Sequence, residues 1–233
     1  MKKIKILTTL LCFMLLVINV SAQTDAAHES TIAAKAKSDA DVYKRAGEWV
    51  ASLNLNDEAK EARVTEVIAT HLKTIRDWNN EHPSSTVPAG INPATGIKLS
   101  DLDRQIIAIS AMPKSVHENL MNGLRKDLTD AQVEMILDKY TIGKVAFTLA
   151  GYKAIVPNLT PAEEAVIVTN LKQAREQAVD YKNMKQISAI FEIYKTKCEQ
   201  YLNANGRDWR QMYKDYVNAV KAKKAGKKSV LNK

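Results

Sequence analysis

Residues 159–178 read LTPAEEAVIVTNLKQAREQA, and every feature of this stretch belongs to one α-helix. Thr160 stands three residues before Glu163, so the threonine oxygen can accept from an early helix N–H while the glutamate reaches back to the cap. Pro161 falls at the first helical position, where its missing N–H costs nothing. Ile167, Leu171, Ala174 and Ala178 then step by four, three and four, which places them on one apolar face. Leu128-Thr-Asp-Ala-Gln132 repeats the opening grammar. Leu55-Asn-Asp-Glu-Ala59 echoes it with a cap but no return partner.

Working outward, the same period recurs along the chain. From Asp39, Val42, Ala46, Trp49 and Val50 share a face. After a break at Asn54-Leu-Asn-Asp-Glu58, residues 57–79 form a long amphipathic helix with Val64, Ile68, Leu72 and Ile75 in register, and Val67 and Trp78 alongside. Residues 80–100 hold Pro83, Pro88, Pro93, Gly90 and Gly96, a loop long enough to be uncommon inside a compact domain. Helical pattern resumes near Leu102 to Met112, breaks or kinks at Pro113, and continues over 114–126. Further helices are expected at 143–155, closed by Pro157, and around Ile187, Ile190, Phe191, Tyr194, Cys198 and Tyr201, stopped by Asn205-Gly206. A last short helix, about 207–220, should turn Trp209, Met212, Tyr213, Tyr216 and Val217 inward. No segment alternates as a strand. The expected fold is all-α, a multi-helix bundle of about seven or eight helices with one long Pro/Gly loop.

The ends are of a different kind. Lys2, Lys3 and Lys5 precede an apolar run from Ile6 to Val20, and Val20-Ser21-Ala22 is a small-residue cleavage site: the layout of a secretory signal peptide over 1–22. The run is short for a membrane span, so no stable anchor is expected. Residues 23–38 read as a flexible leader, 39–218 as the helical domain, and 219–233 as a basic, disordered tail. The net charge of +8 is confined to the two ends. Three lysines lie in the first 22 residues and six in 221–233, both without acids, which leaves the body at 23–220 with a net charge of −1. A nearly neutral body lacks the basic face that a nucleic-acid binder needs, so no nucleic-acid partner is expected. Cleavage would leave Cys198 alone, on an apolar stripe, as a small core residue.

Chemistry-bearing motifs are sparse. The four histidines, His28, His71, His82 and His117, stand at no metal-ligand spacing, and there is no H-E-x-x-H, no G-x-S-x-G and no Gly-rich phosphate loop. No metal and no cofactor are expected, and no catalytic residue is assigned. Asp101 with Asp103 and Glu163 with Glu164 lie near helix starts, where the dipole favours acids. Trp49, Trp78 and Trp209 could stack on sugar faces, yet each falls on a helix stripe where burial is the commoner fate. Trp78 stands out because it borders the loop.

The run Asp138-Lys-Tyr-Thr-Ile-Gly143, then Tyr152 with Pro157-Asn-Leu-Thr160, then Leu171-Lys-Gln-Ala-Arg-Glu-Gln-Ala178, and finally Tyr194-Lys and Tyr201-Leu-Asn-Ala-Asn-Gly206, resembles one family. It is a secreted Bacteroidetes family classed as a domain of unknown function, regarded as sugar-binding, and tending to be encoded beside pectin-degrading and other polysaccharide-utilisation genes. Lys44-Arg-Ala46 and His117 extend the resemblance over most of the chain. It implies a periplasmic or surface accessory role in glycan use, with an oligo- or polysaccharide partner. The candidate binding residues it marks are His117, Asp138, Tyr140, Thr141, Tyr152 and Arg175, to which Trp78 is added for its place beside the loop. Asp138, Tyr140 and Thr141 could equally build the helix end before Gly143. Leu-Thr-x-x-Gln at 128–132 is also similar to the repeated motif of periplasmic helical chaperones of the Spy and CpxP kind, an alternative reading. A polysaccharide-active enzyme with an unfamiliar site is the third.

Overall fold

The computed structural model describes residues 31–231, residue 94 excepted. The expected signal peptide at 1–22 and the first part of the leader lie outside the described residues. Nine α-helices follow one another among the described residues: α1 (31–51), α2 (Glu58–Glu81), α3 (Asp101–Ser110), α4 (Lys114–Asp127), α5 (Asp130–Thr141), α6 (Lys144–Ile155), α7 (Pro161–Ala178), α8 (Met184–Ala204) and α9 (Trp209–Leu231). The fold is all-α. The loop before α3 holds a 3-10 turn at Ser84–Thr86 and one isolated bridge between Ile91 and Lys98.

The helix starts follow the sequence closely. Thr129 with Gln132 and Thr160 with Glu163 both close reciprocal capping boxes, so the two Leu-Thr motifs have a local role in satisfying orphan N–H groups. A third box, Ser100 with Asp103, opens α3. Asp57 caps α2 by accepting from Lys60 N, after Asn54 and Asn56 adopt left-handed backbone to turn the chain. At the junction of α5 and α6, Ile142 and Gly143 are both left-handed, and Gly143 N donates to Asp138 O at 2.9 Å.

The ends depart from expectation. Residues 31–38, expected as part of a flexible leader, are already helical, and α2 pairs with them: Arg76 Nη1 donates to Ser38 Oγ at 2.9 Å and binds Asp39 at 2.6 Å. The Ala- and Lys-rich sequence favours helix there once that pairing is available. The tail expected to be disordered from 219 continues α9 to Leu231. Tyr213 and Tyr216, expected inward, are exposed, whereas Trp209 and Met212 are partly buried.

Two hydrophobic clusters result. The first joins α1, α2, α4 and α5 through Ala46, Val50, Val64, Ile68, Leu124 and Ile136. The second joins α6, α7 and α8 through Tyr152, Ile167, Leu171, Ile190, Phe191 and Cys198, with Trp209 of α9 against it. Burying each such side chain contributes about 1.5–3 kcal/mol, and this packing rather than propensity holds the helices. At the end of α7 the clusters meet: Val179 belongs to the first and Tyr181 to the second. Asp180 stands between them.

Helices α2 and α4 approach closely because Gly123 has no side chain; a Cβ there would lie 2.7 Å from Val67 Cγ2. Gly123→Val should lower the unfolding free energy by about 1–3 kcal/mol through overpacking. Urea denaturation checks this, and an unchanged midpoint would refute the close approach.

Candidate functional site

Asp180 follows immediately on the turn that ends α7, so its carboxylate projects among α2, α4 and α5. Its Oδ1 lies 3.0 Å from His71 Nε2 and its Oδ2 lies 3.0 Å from His117 Nδ1. The other nitrogen of His71 meets Tyr140 Oη at 3.1 Å. An ionised carboxylate can only accept, so His71 must donate from Nε2, and its Nδ1 is then free to accept the Tyr140 O–H. His117 likewise donates from Nδ1. The result is a directed chain, Tyr140 to His71 to Asp180 from one side and His117 to Asp180 from the other, joining four helical elements.

Its two ends differ. His71 is 3% exposed and Tyr140 is buried, with its ring 4.9 Å from Trp49 in an edge contact. His117 is half-buried and opens on a cleft of about 630 Å³ between α4 and α7. Its Nε2 lies 3.8 Å from Glu176 Oε1 on the cleft wall. Gln173, Glu176, Gln177 and Asp180 of α7 face His117 and Glu118 of α4 across this space, and Tyr181 and Tyr194 supply rings. The volume falls within the range of ~300–1,000 Å³ usual for ligand sites.

Electrostatics follow from these contacts. The hydrogen bond to Asp180 raises the His117 pKa above the ordinary imidazole value, against burial, which lowers it. Burial pushes the Asp180 carboxyl upward, but the bonds from His117 and His71 outweigh it and hold the group below its ordinary range. Burial, and then the charge on Asp180, push the Tyr140 phenol well above its ordinary value, which suits its role as donor. Among the described residues no group of three or more His, Cys, Asp and Glu side chains is arranged to hold a metal ion.

The residues singled out from sequence separate into distinct places. His117 and Tyr140 enter the same hydrogen-bond chain, His117 at the cleft and Tyr140 at its buried end. Arg175 points away from the cleft: its Nη1 binds Asp138 Oδ1 at 2.8 Å and its Nη2 binds Glu134 Oε1 at 2.7 Å, tying α7 to α5. Asp138 and Arg175 therefore join two helices and do not converge with His117. Thr141 is buried and donates to Leu137 O at 3.3 Å, a helix-end role. Tyr152 lies in the second cluster, its hydroxyl donating to Lys195 O at 3.2 Å. Trp78 donates from Nε1 to Ala108 O at 3.0 Å and stacks on His82 with centroids 3.8 Å apart.

Sequence reasoning missed His71, Glu176 and Asp180. One signal was present: Gln173, Glu176, Gln177 and Asp180 recur at i, i+3, i+4 and i+7, a polar stripe opposite the apolar stripe of α7. The pairing of Asp180 with His117 and His71 spans 63 and 109 residues and has no local signature.

Compared with known proteins, the chain matches a family described as protein of unknown function (DUF3826) over residues 39–222, and it belongs to that family. No curated protein matches it. Among the described residues no helix is long and apolar enough to cross a membrane.

A raised His117 adds stability that is complete below its ordinary pKa and is lost as pH rises through the raised value. A lowered Asp180 adds stability that is present above its ordinary pKa and is lost as pH falls through the lowered value. The pair therefore stabilises the fold most between 3.8 and 6.5, the two ordinary values. Denaturant titrations of the wild type should show stability declining as pH rises above 6.5, the ordinary imidazole value. Asp180→Asn should be less stable by about 2 kcal/mol at pH 6, the scale of a charged hydrogen bond. It should also lack that decline. An identical decline in the variant would contradict the assignment.

Proposed function

We propose that this member of the family is an exported accessory protein of glycan utilisation that binds an oligosaccharide in the cleft between α4 and α7. One observation carries the reading: Gln173, Glu176 and Gln177 of α7 and His117 of α4 bring planar amide, carboxylate and imidazole groups to one ligand-sized cleft that also holds tyrosine rings. Neighbouring sugar hydroxyls each donate and accept, and planar side chains that do the same can satisfy them in pairs. Tyr194, partly exposed at the cleft, offers surface for the apolar C–H face of a pyranose. The buried end of the chain supports this use, since Asp180, His71 and Tyr140 fix the His117 ring before a ligand arrives.

Charge narrows the ligand. The cleft carries Glu118, Glu176 and Asp180 against Lys114 and His117, an acidic balance that favours a neutral sugar over a uronate. Within pectic material this selects neutral side-chain oligosaccharides. Export rests on the Lys-led apolar segment at 1–22, and the secreted form should begin at Gln23, as N-terminal sequencing would reveal.

The His117–Asp180 pair also favours a second reading, a polysaccharide-active enzyme. A half-buried imidazole with Nδ1 fixed on a part-buried carboxylate is positioned to take a proton from water at Nε2. Release of new reducing ends from a bound oligosaccharide, abolished in His117→Gln, would establish turnover; saturable binding with no product excludes it.

Calorimetry across neutral and acidic pectic oligosaccharides should give heat with neutral members, weakened by about tenfold or more, the worth of a lost charged hydrogen bond, in His117→Ala and Gln177→Ala. Asp138→Asn should lose thermal stability and retain binding. Absence of heat from every oligosaccharide would remove the reading.

A further inference from the structure

Helix α9 begins by packing on the second cluster, with the Trp209 and Tyr152 rings 5.2 Å apart. Beyond that contact a groove of about 480 Å³ opens between α6 and α9. Phe147 on α6 is 78% exposed, and Tyr213 and Tyr216 on α9 are 51% and 36% exposed. All three line this one groove, whose α6 wall also has the small residues Gly151 and Ala154. Trp209 and Tyr213 stack with centroids 6.1 Å apart and an interplanar angle of 27°, so the rings form a run along α9. Each large ring left in water forgoes about 1.5–3 kcal/mol of burial, and three in one slot form a surface with unfilled capacity for a flat apolar face.

The same helix carries the charge that selects the occupant. Lys144 of α6 and Lys195 of α8 also stand at the groove, Lys195 paired with Glu192 at 2.9 Å. At 3.6 residues per turn, Val220, Lys223 and Lys224 continue the α9 stripe that holds Trp209, Tyr213 and Tyr216, and both lysines are exposed. Beyond Asp215 the chain has no acidic residue and six lysines. A strip that is aromatic at one end and cationic at the other matches a polymer whose every unit offers both a flat face and an anion.

We propose that this groove is a second binding site, independent of the α4–α7 cleft, for a segment of acidic polysaccharide. Pyranose faces stack on Phe147, Tyr213 and Tyr216, and uronate carboxylates pair with the lysines of α9. Glu192, also at the groove, accepts from sugar hydroxyls and opposes the closely spaced phosphates of a nucleic acid. The rings line the walls of a slot instead of projecting together from a convex face, which disfavours a lipid surface.

The test is binding of the full mature chain to immobilised polygalacturonate by biolayer interferometry. Parallel surfaces carry neutral galactan, anionic phosphatidylglycerol vesicles and an oligothymidylate. Polygalacturonate should bind, and weaken about tenfold between roughly 50 and 300 mM salt, as exposed ion pairs are screened. The double variant Phe147→Ala/Tyr213→Ala should bind about tenfold more weakly, since stacked rings carry that much affinity. Lys223→Glu/Lys224→Glu should weaken binding and flatten the salt dependence. Both pairs are exposed, so circular dichroism should be unchanged, and Met135→Ala, an exposed apolar change on α5, should bind as wild type does. Failure to bind polygalacturonate overturns the proposal. So does full affinity in the aromatic variant, or vesicles or oligothymidylate binding as tightly and losing affinity in the same variants.

Discussion

The carboxylate of Asp180 is largely withdrawn from water at the seam between two hydrophobic clusters, with 19% of its side chain still exposed at the cleft, and the helices around it supply its partners. Partners offset the desolvation of this part-buried carboxylate: α2 brings His71 and α4 brings His117 to 3.0 Å from it. Tyr140 then completes the first of these contacts from α5. One side chain thereby couples the first cluster, in which Val179 is packed, to the second, in which Tyr181 is packed. The same contact fixes the His117 ring on the cleft wall. Fold and site depend on one anion.

The helices were legible in the sequence because their information is local. The capping boxes at Thr129 and Thr160, the left-handed Asn and Gly turns and the stripe through Ile167, Leu171 and Ala174 all act within a few residues. The site was legible only in part. His117 and Tyr140 stood out through a resemblance, but their partner Asp180 lies 63 residues from the first in sequence, and its role arises from how α7 crosses the other helices. Asp138, Thr141 and Arg175 matched the same motifs, and the fold uses them to join α5 with α7 and to finish a helix. At the ends, where 31–38 and 219–231 are helical, composition alone cannot distinguish a solvated Lys- and Ala-rich segment from one that α2 or the preceding turns of α9 hold in helical form.

Charge is distributed with a consistent logic. The α4–α7 cleft is acidic, the stripe along α9 is cationic, and the body between them is close to neutral. Under the two proposals, these surfaces of opposite sign take neutral residues of a heterogeneous glycan in the cleft and acidic residues along α9. Both proposed sites place aromatic rings beside polar groups.

The most direct measurement on the central contact is the nitrogen-15 NMR titration of the two imidazoles. In the wild type, His117 should titrate above the ordinary imidazole value and keep its proton on Nδ1 when neutral, with His71 protonated at Nε2. In Asp180→Asn the His117 midpoint should fall, with Glu176 left as its one carboxylate neighbour among the groups that raise it. A His117 that titrates identically in both proteins would show that Asp180 does not hold it, and the account of seam and site together would be wrong.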